Sequence, residues 1–478
     1  MVIGYGAIQW AGPFLSLIFT PIITRALTPG DYGVADYLLT IVSALSTLAL
    51  VALPTALFTH FNDRPDDIGW QRSVVGSAFT VAAFSGIAFG ALLYVFAPVL
   101  TSYIPILGPY TSLVQLMGAT FVFGLTGSIL TTSAQAALRV RWGMVFSLVT
   151  LVCTFAGNVL FIVVLHLGVT GMILTPIVTG LSLWLVGMIL VRGMIGRPSP
   201  QVTKILLCSG AILLPTMLAA WVLQVSDRLF LGQYVSATEL GYYAIANRMA
   251  GLVGVAMAPI YSSWTPLALA VQKQTGSAER YVSMSRYLIG AVLLVGLAIS
   301  LYANEILIVL TRPAYLPAAP YVGFLVYIYI FSGFGSVFST GALIGKQLAS
   351  VTGAVVSGAI LNILLNMLLI PRYGIDGATV ATVIGYAIPQ IILYLVLQRR
   401  FPIAYPIGRF LAALAIEFGL VVTGLLLPTM PFPERVAVKF VLFASLPVTY
   451  LWLGLITPFE AKQARLFVRH RLRLAFGI

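Results

Sequence analysis

Charged side chains set inside long apolar runs are the residues of this chain with the most chemistry to offer. QVSDRLFLGQ (224–233) places Asp227 and Arg228 late in one such run, and YYAIANRMAGLVGVAMAP (242–259) places Arg248 in the middle of the next. Arg25 closes the first run, Asp36 lies in the second, and Glu417 stands alone in a run near the C-terminus. A guanidinium is a planar fork that offers phosphate two parallel, charge-assisted hydrogen bonds. An arginine at mid-bilayer costs about 2.5–3.5 kcal/mol, so it is tolerated only facing protein or water. Arg25, Arg228 and Arg248 against Asp36 and Asp227 leave a small positive excess, which favours an anionic ligand. The alternative is mutual neutralisation, Asp227 with Arg228 and Asp36 with Arg248. Both readings stand on the sequence.

Weaker polar signals accompany these charges. Gln9, Gln135, Asn158, Asn247 and Asn366 are able to hydrogen-bond sugar hydroxyls, although such amides more often join helices. Trp10, Trp221 and Trp264 either stack on sugar faces or anchor at the membrane interface. Glu417 is a candidate acceptor of a coupling proton or a packing residue with a polar neighbour. Pro54 and Pro259 come late in the second run of each half of the chain and mark hinges or local kinks.

The elements that must hold these residues follow from composition. The chain is 60% hydrophobic and only 8% charged over 478 residues, where soluble domains are about one quarter charged. Mean hydropathy is +1.03. About 20 apolar residues suffice to cross a hydrocarbon layer as a helix. Fourteen runs qualify: Ile3–Ile23, Tyr32–Phe58, Val74–Leu100, Tyr110–Ala137, Met144–Leu165, Thr170–Val191, Ile205–Leu231, Leu240–Trp264, Tyr287–Leu310, Pro320–Ile344, Val351–Ile370, Ala378–Leu397, Phe410–Leu427 and Val436–Ile456. The short alternating segments of a β-barrel are absent. The expectation is an all-α polytopic membrane protein with 14 transmembrane helices. The first run lacks a basic leader and a small-residue cleavage site, so it reads as a retained helix and not a signal peptide. Cys153 and Cys208 fall in apolar runs and read as inert packing residues.

The formal charge of +13 is distributed by side. Numbering the gaps between runs, 19 Lys and Arg fall on the even-numbered side with the C-terminal tail and 6 on the odd side, with Arg248 inside a run. The positive-inside rule then puts both termini in the cytoplasm. The tail FEAKQARLFVRHRLRLAFGI reads as a basic helix on anionic lipid, so membrane lipids and not nucleic acid are its partners.

A repeat runs through the chain. LTPGDYGVADY (27–37) is echoed by VSATELGYYAI (235–245), with Asp31 and Gly33 falling 208 positions before Glu239 and Gly241. LGVTGMILTPIVTG (167–180) is echoed by YGIDGATVATVIG (373–385), with Gly168 and Gly171 falling 206 before Gly374 and Gly377. Asn158 and Asn366 are again 208 apart. The spacing covers six helices, so the copies enter the membrane in the same sense, as in parallel-repeat transporters. The expected organisation is an N-lobe over 1–191, a C-lobe over 205–397, helices 13–14 over 409–456 and a basic tail over 457–478. By the same spacing Asp36 and Arg248 face a shared space from opposite lobes.

No nucleotide-binding loop is present: GALIGKQ (341–347) lacks the first glycine and the hydroxyl after the lysine. Three scattered histidines and two cysteines suggest no metal site, and nothing calls for a cofactor. Asp66 and Asp67 in HFNDRPDDIGWQR are adjacent carboxylates on a short loop, the weak basis for a glycosyltransferase or polymerase reading. An exporter of cationic drugs would want a net-negative cleft, against the arginine excess.

With these residues assembled, the chain resembles the polysaccharide-repeat flippases of the MOP exporter superfamily, relatives of the multidrug (MATE) exporters and the lipid II flippases. The resemblance covers essentially the whole chain and is carried by PIITRALTPGDYGVADY (21–37), SDRLFLGQYVSATELGYYAIANRMAGL (226–252) and YGIDGATVATVIGYA (373–387). It implies a secondary transporter of the inner membrane, not an enzyme, that moves an undecaprenyl-pyrophosphate-linked oligosaccharide to the outer leaflet by alternating access. It implies a lipid-linked anionic oligosaccharide as cargo and a polysaccharide polymerase or ligase as protein partner. On that likeness Arg25, Arg228 and Arg248 match the positions of cleft cations and Asp36 and Asp227 the acidic positions near them; Asn247, beside Arg248, joins the arginines as a substrate-binding candidate. The chain departs from the family in opening almost at its first run, without the usual short basic leader.

Overall fold

The computed structural model describes residues 19–272, 276–427 and 430–455, which are helical throughout apart from short connections. Helix is what an apolar chain must form in lipid, because no water is there to satisfy backbone N–H and C=O groups. Residues 19–26 are helical; Gln9 and Trp10 lie outside the described residues, as does the basic tail from 456 onward.

The elements are α1 (Pro29–Leu50), α2 (Leu53–Phe61), α3 (Ile68–Tyr103), α4 (Thr111–Leu116), α5 (Gly118–Ala136), α6 (Val140–Asn158), α7 (Val169–Val191), α8 (Pro200–Tyr234), α9 (Ala237–Ala250), α10 (Leu252–Gln272), α11 (Ser277–Leu301), α12 (Ala303–Leu310), α13 (Ala319–Ile344), α14 (Leu348–Arg400), α15 (Ile407–Leu425) and α16 (Phe432–Trp452). Eleven helices among the described residues are long and apolar enough to cross a membrane, or twelve counting as one span the pair Pro105–Leu116 and Gly118–Ala136, bent by 52°. The protein is thus a multi-pass membrane protein. The sequence shows fourteen runs, and the difference has two sources. Most of the first run, up to residue 18, falls outside the described residues, and Val351–Ile370 and Ala378–Leu397 share the single 53-residue α14. That element is broken at Gly374, whose φ of 52° and ψ of −126° are not helical.

The chain forms two compact units. Unit 1 comprises Met1–Ile245, Leu307–Ala318 and Val355–Gly385; unit 2 comprises Ala246–Ile306, Ala319–Ala354 and Tyr386–Ile478.

In unit 1 the echoed turns share local structure. Thr28 caps α1 in a reciprocal box with Asp31: Asp31 N–H donates to Thr28 Oγ1 at 3.1 Å while the Asp31 carboxylate accepts from Thr28. Ser236 and Glu239 form the same box before α9, with distances of 2.8–3.2 Å. Such boxes satisfy N–H groups that the first helical turn leaves orphaned. The two helix starts also meet reciprocally. A Cβ on Gly33 would lie 2.2 Å from the carbonyl oxygen of Ala237, and one on Gly241 would lie 1.9 Å from that of Pro29. Only glycine lets the backbones come this close. The other echoed pair agrees in conformation: Gly168 has φ 59° and ψ −128°, nearly the values of Gly374, and each opens a helical segment.

Pro54 follows a break at Val51 and Ala52, both in the left-handed region at φ 45° and 54°, that separates α1 from α2. Pro259 instead lies inside continuous α10. Asp67 has a structural task, capping α3 through a 2.9 Å bond from Trp70 N–H to Oδ1. Cys153 is half-buried, and Cys208 is exposed on the outside of α8 and not packed inside.

In unit 2, α11, α13, α15 and α16 surround an aromatic core. Tyr281 donates to the Val337 carbonyl at 2.6 Å, and Phe338, Tyr394 and Tyr405 stack with centroids 5.4–6.5 Å apart. Trp264 is buried and donates from Nε1 to Thr340 Oγ1 at 3.1 Å, so it packs within the protein and does not anchor at an interface.

Candidate functional site

Asp227 and Arg228 lie in the last third of α8, and being neighbours on a helix they point about 100° apart. That angle separates their fates. Arg228 reaches α1, where Nη1 lies 3.1 Å from Asp36 Oδ2 and donates to Oδ1 at 3.3 Å. Both side chains are mostly buried, at 15% and 18% exposure. The pairing expected from sequence, Asp227 with Arg228, is replaced by Arg228 with Asp36. Arg228 Nε is buried without an acceptor among the described residues, so the fork is only partly used.

Asp227 turns the other way and is 1% exposed. Its Oδ1 accepts from the backbone N–H of Arg228 at 2.8 Å, and its Oδ2 accepts from Tyr243 Oη and, at 3.1 Å, from Thr382 Oγ1. A buried carboxylate supplied with three donors is held without an ion pair of its own among the described residues. Next to it, Ser226 donates to Asn362 Oδ1 at 3.1 Å. Asn366 donates to the same oxygen at 3.1 Å, and Asn362 Nδ2 donates to the Ala381 carbonyl at 3.2 Å. The cluster joins α8, α9 and both halves of α14 through oxygen-rich side chains, the donor type that suits hard cations and protons.

Sequence reading found Asp227 and Asn366 but passed over Tyr243, Thr382, Ser226 and Asn362. Ser226 adjoins Asp227 and Thr382 follows the YGIDG echo, yet only the fold brings them together, from 155 positions apart. His60 was also passed over: Nδ1 lies 2.6 Å from Asp63 and Nε2 2.7 Å from Ser209, tying the end of α2 to α8. Trp221 donates to Ser43 Oγ at 2.8 Å, joining α8 to α1 instead of presenting its ring edge to lipid.

Beside the ion pair runs an apolar groove of about 540 Å³, lined by Tyr37, Ile41, Leu93, Phe96, Leu229 and Gln233 among others. Tyr37 follows Asp36 and Leu229 follows Arg228, so the groove begins one residue from the charges on both helices.

The remaining candidates are not gathered here. Arg25 is exposed in the last turn of the helical segment 19–26 that precedes α1. Asn247 and Arg248 are half-buried on α9, in unit 2. Glu417 is fully buried on α15 in unit 2, where Oε2 accepts from Tyr327 at 2.6 Å and Oε1 has no partner among the described residues.

With this geometry in view, comparison with known proteins is informative. The fold is similar to that of the lipid II flippase MurJ in an inward closed conformation, with a TM-score of 0.70 at 13% identity over 94% of this chain and 98% of that one. It is also similar to an inward-facing multidrug resistance MATE family transporter of the MOP superfamily, with a TM-score of 0.61 at 14% identity over 82% and 94% of the two chains. A stretch of 88 residues is 39% identical to an uncharacterized membrane protein of Methanocaldococcus jannaschii, covering 18% of this chain and 17% of that protein's length. Residues 22–320, which hold α1 through α12 with the Asp36–Arg228 pair and Ser226, Asp227 and Tyr243 of the cluster, match the family described as polysaccharide biosynthesis protein. The chain belongs to that family of polysaccharide biosynthesis proteins.

Proposed function

We propose that the protein is a flippase that carries a lipid-linked oligosaccharide diphosphate across the cytoplasmic membrane. The observation that carries this reading is the partly used guanidinium of Arg228, set in an apolar helix whose next residue, Leu229, lines an apolar groove. A diphosphate cannot enter hydrocarbon unaided, because desolvating its charge costs far more than thermal energy. Arg228 is poised to exchange Asp36 for a phosphate oxygen while a polyprenyl chain lies along Tyr37, Ile41 and Leu229. Arg25 and Arg248 are the further cations assigned to the cargo, with Asn247 as a hydrogen-bonding partner.

Family membership and the likeness in fold to a lipid II flippase support this reading. The shared capping boxes and the reciprocal glycine contact support two lobes related by a parallel repeat, 1–191 and 205–397, which rock to give alternating access. An ion gradient resets the carrier through Asp227 or Glu417, buried carboxyls that make no ion pair among the described residues. Both termini lie in the cytoplasm, and a polysaccharide polymerase or ligase receives the flipped product. The likeness to MATE transporters favours a second reading, a cation or drug antiporter, in which Asp227 would hold the cation.

Deletion of the chromosomal gene, complemented by Arg25→Ala, Arg228→Ala or Arg248→Ala at matched protein levels, separates the two. The flippase loses surface polysaccharide in each variant. Undiminished polysaccharide with altered resistance to cationic drugs would favour the antiporter.

A further inference from the structure

Unit 2 holds a separate buried charge cluster that the carrier cycle does not use. Glu305 lies in the first turn of α12, and Arg435 and Lys439 lie four apart on one face of α16. Lys439 Nζ donates to both carboxylate oxygens of Glu305, at 2.9 and 2.7 Å. Those two bonds already tie α12 to α16. Arg435 nevertheless adds a second cation, its Nε 3.0 Å from Glu305 Oε1 but off the hydrogen-bonding line, so that Nε has no acceptor. One carboxylate against two cations leaves an excess of one positive charge where Lys439 is 4% and Glu305 9% exposed. A buried charge in excess calls for a counter-ion.

The place and shape of the excess define that ion. Arg435 keeps 24% exposure, and among the described residues no oxygen accepts from its terminal nitrogens. It lies over the Phe432 ring at 5.9 Å, in the first turn of a helix that no side chain caps, where the helix dipole also favours an anion. The neighbouring surface of α16 is apolar and exposed: Phe432 57% and Phe440 61%. Glu434, the nearest other acid in the chain, makes no ion pair among the described residues and is exposed. A fork-shaped cation at the end of a membrane helix with hydrocarbon-compatible walls matches a phosphodiester with acyl chains, not a free ion. We propose that Arg435 and Lys439 form a binding site for the phosphate headgroup of an anionic bilayer phospholipid. The site stands independently of the carrier reading.

Native mass spectrometry of the full chain released from membranes of mixed phosphatidylglycerol and phosphatidylcholine tests it. Retained phosphatidylglycerol should exceed phosphatidylcholine several-fold in the wild type and fall toward parity in Arg435→Gln. Arg435→Lys, which keeps charge and loses the fork, should lie between, and the basic tail common to all three cancels. A photoreactive phosphatidylglycerol should cross-link within 302–306 and 430–440 of the wild type, a readout that holds even if a variant folds poorly. Parity in the wild type, an unchanged preference in a folded Arg435→Gln, or cross-links confined to other segments would overturn the proposal. Displacement by millimolar inorganic phosphate would make it a free-anion site, and displacement by a polyprenyl diphosphate at far lower concentration would make it a cargo site; either result overturns the phospholipid assignment.

Discussion

At the scale of single residues, the protein distributes two adjacent charges between two tasks. Arg228 and Asp36 form an ion pair at a groove, and Asp227 is held by hydroxyls and a backbone amide. Removing one partner of a mostly buried pair leaves the other unpaired, whereas removing both is milder. Arg228→Gln and Asp36→Asn should therefore each lower the melting temperature, and the double variant should be less destabilised than the sum, with a coupling of about 1–3 kcal/mol. Strict additivity in the melting curves would show the pair to be energetically idle. For Asp227, Tyr243→Phe removes one donor to a buried carboxylate and should cost about 1–3 kcal/mol. Ser262→Ala, whose hydroxyl bonds only backbone in an exposed turn of α10, serves as the near-neutral control in the same assay. The acidic and basic residues were visible in the sequence because charge is rare in apolar runs. Their partners were not, since hydroxyls and amides are common in such runs and adjacency suggested the wrong pair.

At the scale of elements, the turns decide where helices begin and how closely they pack. Gly33 and Gly241 each face a backbone carbonyl within 2.2 Å of where a Cβ would stand, while a Cβ on Gly30 would meet side-chain atoms at 3.5 Å or more. Gly33→Ala and Gly241→Ala should thus each abolish a monodisperse peak in fluorescence-detected size-exclusion chromatography, and Gly30→Ala should leave it intact. Equal behaviour of all three would remove the close contact from the account. These starts were legible: a hydroxyl followed three residues later by an acid is a helix-start signature with a stated mechanism. Gly374 was legible too, as one half of the glycine echo. The break at Val51 and Ala52 was not, because neither residue favours a left-handed backbone and Pro54, the nearest signal, lies beyond it. The bend at Met117 likewise falls inside an apolar run, where Gly118 beside it is one glycine among several and does not single out the break.

At the scale of the molecule, composition alone announced a polytopic helical membrane protein, since no other fold hides so little charge in so many long apolar runs. The extent of the compact units was not readable, because contacts assemble segments as distant as 1–245 and 355–385 into one body. Orientation follows from the charge bias. An Arg64→Cys variant should resist a membrane-impermeant thiol reagent added to whole cells, and Ser236→Cys should react with it; the reverse pattern would invert the topology.

The central claim is that the arginines carry a diphosphate between leaflets, and leaflet exchange in proteoliposomes measures it directly. With a fluorescent polyprenyl-diphosphate oligosaccharide and reagent added outside, the wild type should move the labelled lipid between leaflets. Arg25→Ala, Arg228→Ala and Arg248→Ala, each verified as folded, should slow this by about tenfold or more, the worth of a charge-assisted phosphate contact of about 1.4 kcal/mol or above. Exchange at the wild-type rate in all three variants would contradict the account.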